Sequence, residues 1–128
     1  MALFTTQRRV AFSDTDRAGV VHFARTLIYG EDAEHEWLEG VGFDLGGELA
    51  WPRVNVNCNY RHPMRFRDRV TISILSVELG ASSLTYGFRI RGDEKTYAEG
   101  SVTVVRIFQG GGKAPFSEEE RALLTATS

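Results

Sequence analysis

One long helical pattern, set ahead of an unbroken series of strand patterns, limits this chain more than any other feature. From Phe23 to Val41, the residues Phe23, Leu27, Gly30, Trp37 and Val41 fall on one stripe at about 100° per residue, while Asp32, His35, Glu36 and Glu39 fall opposite. Gly40 and Gly42 supply stop signals. Beyond the Gly46-Gly47 loop, Val54, Val56, Cys58 and Tyr60 alternate with Asn55, Asn57, Asn59 and Arg61, the period of two that belongs to a strand, and Pro63 ends it. Val70 to Leu79 is rich in β-branched residues, and Leu84, Tyr86, Phe88 and Ile90 alternate with Thr85, Gly87, Arg89 and Arg91. Tyr97 to Phe108 reads as a long last strand, and Thr5 to Phe12 as a short first one. After Gly110-Gly-Gly112, Ser117 and Glu120 form a capping-box pair that opens a short helix to Thr125.

Consecutive strands joined by short turns pair as antiparallel neighbours, and one apolar helix beside such a sheet is wrapped by it. The expected fold class is therefore α+β: an antiparallel five-stranded sheet around a long central helix. At 128 residues the chain reads as one domain, 1–128. A single sheet covering one helix leaves edges open, so oligomerisation is expected.

A formal net charge of −2 gives no reason to expect nucleic acid or an anionic membrane as partner. The single cysteine, Cys58, allows no intrachain disulfide and is expected in the core, sharing a face with Val54 and Val56. No stretch approaches the roughly 20 apolar residues that insertion in a bilayer needs, and Met1 to Val10 lacks a signal-peptide pattern. The expected setting is cytoplasmic. His22, His35 and His62 share no short spacing, so no metal is expected, nor any cofactor.

The chemistry points to Asp14-Thr-Asp-Arg-Ala-Gly-Val-Val-His-Phe23. Two carboxylates stand in a loop directly before a helix start, where unpaired N–H groups can hold an oxyanion. A carboxylate there can attack a carbonyl or deprotonate a water that does. A thioester suits such a site, because a thiolate leaves without a strong general acid. The residues alone favour a helix cap, worth about 1 kcal/mol, over the catalytic role.

The run from Phe12 to Phe23 resembles the signature of the 4-hydroxybenzoyl-CoA thioesterase family of hotdog proteins, with its Asp-x-Asp-x-x-Gly-Val/Ile-Val segment. Glu31 to Leu38 is similar to a motif late in the family's helix, and Tyr60 to Val70 to its Tyr-x-x-Pro-x-x-x-x-Asp-x-Val connection. Within the family, Gly-Val-Val-aromatic-Phe is similar to 1,4-dihydroxy-2-naphthoyl-CoA thioesterases, with His22 in place of the usual Tyr. The resemblance implies the hotdog fold, hydrolysis of an acyl- or aroyl-CoA, and a homodimer or homotetramer with interfacial active sites. It implies that Asp16 is the catalytic carboxylate and that the Phe23 amide polarises the carbonyl. It also puts Gly19 and Val20 beside the substrate, Glu31 in a supporting place, and Ser83 in a small hydroxyl pair with Ser82.

Other residues keep two readings. His22 can meet substrate or water, or remain a loop histidine. Asn57 can orient substrate across a dimer interface, or belong to an exposed face. Arg65 and Arg67, in a basic cluster with Arg61 and Arg69, suit the phosphates of coenzyme A, or a solvated surface. Glu34 projects onto the apolar stripe; the favoured reading is a phase error, or a side chain reaching solvent or a dimer interface. A hydratase on the same fold would need His22 paired with Glu31 or Glu34. A non-catalytic thioester-binding protein is the third reading.

Overall fold

The computed structural model describes residues 2–126. The expected domain 1–128 includes Met1, Thr127 and Ser128, which lie outside the described residues. Along the chain run β1 (Phe4–Arg9), a 3-10 turn (Phe12–Asp14), α1 (Phe23–Gly40), β2 (Leu49–Ala50), β3 (Arg53–Tyr60), β4 (Arg69–Leu79), β5 (Ser83–Arg91), β6 (Thr96–Val105), β7 (Ile107–Phe108) and α2 (Glu118–Thr125). Five strands form one antiparallel sheet in the order β1-β4-β5-β6-β3, and β2 pairs with β7 as a separate ribbon. Short turns make β4, β5 and β6 sequential neighbours, as their spacing predicts. This is the α+β hotdog arrangement.

The core lies between α1 and one face of the sheet. Val70, Ile72 and Ile74 of β4, Leu84, Phe88 and Ile90 of β5, and Val104 of β6 are buried against Tyr29, Ala33, Trp37 and Leu38 of α1. Gly100 is needed where β6 meets β3, because a Cβ there would stand 2.0 Å from the Asn57 carbonyl oxygen.

Four expectations need correction. The first strand ends at Arg9 rather than Phe12, because the Asp14 carboxylate accepts from Ala11 N–H and winds the chain into the 3-10 turn. The last strand breaks at Arg106, whose buried guanidinium donates to the Ala114 and Pro115 carbonyls and to both oxygens of Glu120, pinning α2. The ribbon of β2 and β7 follows from that break.

The third correction concerns the helix. Its buried stripe is Thr26, Tyr29, Gly30, Ala33, Glu34, Trp37 and Leu38, so Phe23 is 64% exposed and Glu34 only 1%. Neither a phase error nor an exposed position holds for Glu34. Arg53 makes its burial tolerable by donating to Oε2 at 3.1 Å. Fourth, the alternating strand β3 is the sheet's last, and its hydrogen bonds to α1 run from Arg53 and Tyr60 at its two ends. Val54 and Val56 are 59% and 45% exposed, and Cys58 is only partly buried.

Candidate active site

The loop before α1 uses its two aspartates differently. Asp14 is buried and accepts from the Tyr29 hydroxyl at 2.5 Å and from Ala11 N–H at 3.2 Å. Arg8 and Arg25 stand 3.8 and 3.9 Å away. Burial first, and the Asp14 carboxylate second, push the Tyr29 phenol well above its ordinary pKa, so it stays a donor. The Asp14 carbonyl accepts from His22 N–H at 2.9 Å, which ties this anchor to the helix start.

Asp16 is exposed in the single chain. Its Oδ1 accepts from Ala18 N–H at 2.8 Å, and its backbone bonds Val20 and Gly19. That is an Asx-type loop, closed by Gly19 at φ +80°, a left-handed conformation that glycine adopts without strain. Among the described residues no donor takes up Oδ2 of Asp16.

His22 is the N-cap of α1. Its Nδ1 accepts from Ala24 N–H at 3.1 Å, so the neutral ring carries its proton on Nε2. The ring stacks on Phe23 with centroids 4.6 Å apart. Arg25 and Thr26 N–H groups turn to the His22 carbonyl. Phe23 is the first helical residue, and no acceptor among the described residues takes its N–H. That amide, with the positive end of the helix behind it, is a ready oxyanion donor.

Beside it opens a cleft of about 290 Å³ lined by Val20, Val21, Phe23, Thr26, Tyr60 and Tyr97. Tyr60 reaches from the edge strand and donates its hydroxyl to the Phe23 carbonyl at 2.9 Å. Burial and the neighbouring Cys58 push the Tyr60 phenol up to about 12, so it too remains a donor. The connection before β4 closes the cleft's other flank: Val20 bridges to Arg65, and Val21 N–H donates to the Met64 carbonyl at 2.8 Å. Arg65 to Asp68 form a tight turn in which Arg67 has φ +77°.

A second cleft, of about 230 Å³, lies further along α1 between Leu27, Ile28, Glu31, Arg53, Val56 and Tyr86. Arg53 bonds Glu31 at 2.8 Å as well as Glu34, and the Tyr86 hydroxyl flanks the Glu34 carboxylate. Burial raises the Glu34 pKa above the ordinary carboxyl range.

The structure thus gathers Asp16, Gly19, Val20, His22, Phe23, Arg65 and Arg67 at one end of the sheet. Glu31 sits two turns into the helix at the second cleft. Asn57 is on the exposed edge strand, donating to the Ser101 hydroxyl at 2.6 Å. Ser83 starts β5 opposite Val105, at the far end of the sheet within one chain. Glu31 and Glu34 are both held by Arg53, and neither contacts His22, so no His–acid pair of the hydratase kind is present among the described residues. Sequence reasoning missed Tyr60, Thr26 and the tie of Glu34 to Arg53 and Tyr86. Tyr60 carried a usable signal, since alternation puts its ring on the face of Val54 and Val56. Arg53 carried none, because its partners come from a helix turn distant in sequence. The described residues include no group of three metal-ligating side chains.

Residues 18–99 match the family model described as the thioesterase superfamily. The chain is 32% identical over 110 residues to the 1,4-dihydroxy-2-naphthoyl-CoA hydrolase of Synechococcus sp. strain CC9605, covering 78% of this chain and 74% of that protein. The enzyme of the same name from Nostoc punctiforme is also 32% identical, but the match spans only 62% of its length. Among solved structures, a 1,4-dihydroxy-2-naphthoyl-CoA thioesterase from Synechocystis superimposes with a TM-score of 0.85 at 25% identity, covering 94% of each chain. A gentisyl-coenzyme A thioesterase gives 0.86 at 25% identity, covering 94% of this chain and 99% of that one.

Proposed function

The chain belongs to the thioesterase superfamily, and from that membership we propose that it hydrolyses an acyl- or aroyl-CoA thioester to the free acid and coenzyme A. The thioester carbonyl enters the cleft beside Phe23, and its oxygen accepts the Phe23 N–H. Asp16 then adds to the carbonyl carbon, or takes a proton from a water that does. The tetrahedral intermediate collapses with the C–S bond breaking, and the thiolate leaves with a proton from solvent. In the first route the mixed anhydride is cleared by water. The observation that carries this reading is the uncommitted Phe23 amide at the helix start, joined by one short loop to a carboxylate with a free oxygen. His22 caps the helix that presents the amide, and Gly19 and Val20 shape the loop against the substrate.

An aroyl group fits best. Phe23, with the His22 ring stacked on it, borders the cleft, and the named relatives act on naphthoyl and gentisyl thioesters. Arg65, bridged to Val20 of the cleft wall, and Arg67 in the same turn are our candidates for the coenzyme A phosphates. Glu31, Asn57 and Ser83 lie outside the cleft of their own chain, so their contacts with substrate come from a partner subunit or from the second cleft. The exposed apolar face of β3 supports a homodimer built along that edge, with dimers able to pair further as a homotetramer. No described helix is long and apolar enough to cross a membrane, and a cytoplasmic setting suits a coenzyme A ester and a single free thiol.

Asp16→Asn tests the mechanism. The asparagine oxygen can still cap Ala18 N–H, so the loop keeps its shape while the charge goes. Release of free thiol from benzoyl-CoA should fall about 10²- to 10⁴-fold, with an unchanged melting temperature. Wild-type rates in this variant would overturn the assignment.

A further inference from the structure

Of the four N–H groups that open α1, three end on one residue. Ala24 N–H donates to Nδ1 of His22 at 3.1 Å, and the Arg25 and Thr26 N–H groups donate to the His22 carbonyl at 2.8 and 3.3 Å. His22 is itself held by its N–H, which donates to the Asp14 carbonyl at 2.9 Å. The fourth group, Phe23 N–H, finds no acceptor among the described residues. Tyr60, the last residue of β3, donates its hydroxyl to the Phe23 carbonyl at 2.9 Å.

The Phe23 carbonyl and the Ala24 N–H are the two ends of one planar peptide group. Tyr60 therefore holds its oxygen end and His22 its nitrogen end. The preceding peptide group joins His22 to Phe23. It is fixed at its oxygen by Arg25 and Thr26, and it carries the free N–H at its other end. The two planes meet at the Phe23 Cα, so three of their four polar ends are tied and the fourth is left with one direction. A carbonyl that accepts hydrogen bonds also polarises the N–H of its own peptide group, which strengthens the free donor.

Nδ1 of His22 can accept only while the ring is neutral. An imidazolium carries protons on both nitrogens, drops the Ala24 N–H, and sets a positive charge at the positive end of the helix. The charged and titratable groups on the elements around the ring are Asp14 and Asp16 of the loop, Arg25 of α1, Tyr60 of β3, and Arg61 and His62 of the connection that lines the cleft. Asp14 is committed to Tyr29, Arg61 to Glu99, and His62 to the Thr96 carbonyl.

We propose that Tyr60 and His22 act together as positioning residues that aim the Phe23 amide at the oxyanion, and that the pair is complete only with His22 neutral. This rests on the reading above that the amide polarises a thioester carbonyl. To that reading it adds a residue of the edge strand and a required protonation state. The oxyanion develops on the way to the transition state, so a donor aimed wrongly lowers kcat and leaves KM in place.

Turnover of benzoyl-CoA tests the pair. In Tyr60→Phe and in His22→Ala kcat should fall about tenfold, part of the roughly 10²- to 10³-fold that a whole oxyanion donor is worth, with KM within about twofold of wild type. His22→Asn, whose side-chain oxygen is a favoured cap, should recover most of the His22→Ala loss. The double variant Tyr60→Phe/His22→Ala should be about as slow as either single one, because both act through one peptide group; a loss of about a hundredfold, the product of independent effects, overturns the pairing. Wild-type kcat should decline with acid within about pH 5 to 8, the range in which histidines titrate, and His22→Asn should lack that limb. The same limb in both proteins overturns the need for a neutral His22. Amide hydrogen exchange reads the arrangement without substrate: Ala24 should exchange about tenfold faster in His22→Ala than in wild type, and faster also in Tyr60→Phe. Unchanged exchange in both variants, or kcat within about twofold of wild type in either, overturns the proposal. Faster exchange in the variants, with no thioester cleaved by the wild-type protein, supports the arrangement and overturns the hydrolase reading.

Discussion

Asp14 and Asp16 are two residues apart and carry opposite duties. Asp14 is enclosed by Tyr29, Ala11, Arg8 and Arg25, so its removal leaves a buried phenol and the Ala11 N–H without their acceptor, while Arg8 keeps Asp32 at 2.8 Å. Asp14→Ala should destabilise the protein by about 3 kcal/mol, read from the shift of a urea unfolding midpoint. A shift under about 0.5 kcal/mol, the size of an ordinary surface substitution, would contradict the anchoring role. Asp16→Asn should show the reverse pattern, with intact stability and lost turnover. The sequence made the pair visible as two acids before a helix, and the resemblance singled out Asp16. It could not show which acid was buried, because the phenol that makes the difference comes from the second turn of α1. At this scale Arg67 was legible only as one basic residue among four. Its left-handed backbone depends on a turn closed by Asp68, which composition does not reveal.

The element that most departs from its pattern is α1. Helical spacing located it within a residue or two, and the shared positions Gly30 and Trp37 fixed its general orientation. The stripe drawn through Phe23 and Val41 put the first residue in the core, whereas the helix exposes Phe23 and buries Glu34. A helix cap at His22 and the Tyr60 bond determine where the first turn faces, and neither is a periodic signal. Glu34 has a consequence for pH dependence. Its pKa is raised by burial, so the folded protein holds that proton more tightly than the unfolded chain does. The linked stability is present below the ordinary glutamate pKa of about 4.3 and is lost as pH rises through the folded value. Glu34→Gln removes the titration. Its stability relative to wild type should therefore increase with pH above about 4.5, measured by urea midpoints at several pH values. Parallel curves for the two proteins would refute this.

At the level of the whole molecule, the order of elements was readable because short turns leave antiparallel strands few alternatives. The place of β3 was not, since its alternation looked like that of any half-buried strand. It lies at the sheet's end, where the apolar half of its pattern faces out of a single chain. Val56→Lys should keep that edge in water and yield a monomer by light scattering. Turnover should drop at least tenfold if sites form at the interface, an effect of about 1.4 kcal/mol or more. A monomer with full activity would remove the case for interfacial sites, and a persistent dimer would move the contact elsewhere.

The Tyr60 hydroxyl joins this outermost strand to the carbonyl of Phe23. The residue whose amide we propose as the oxyanion donor is therefore braced by the very edge on which subunits would meet. If subunits meet there, separating them would loosen that brace before anything in the core gives way. Turnover per chain should then decline on dilution at fixed substrate concentration, while circular dichroism stays unchanged; a rate strictly proportional to protein down to nanomolar levels would show that the brace stands without its neighbour.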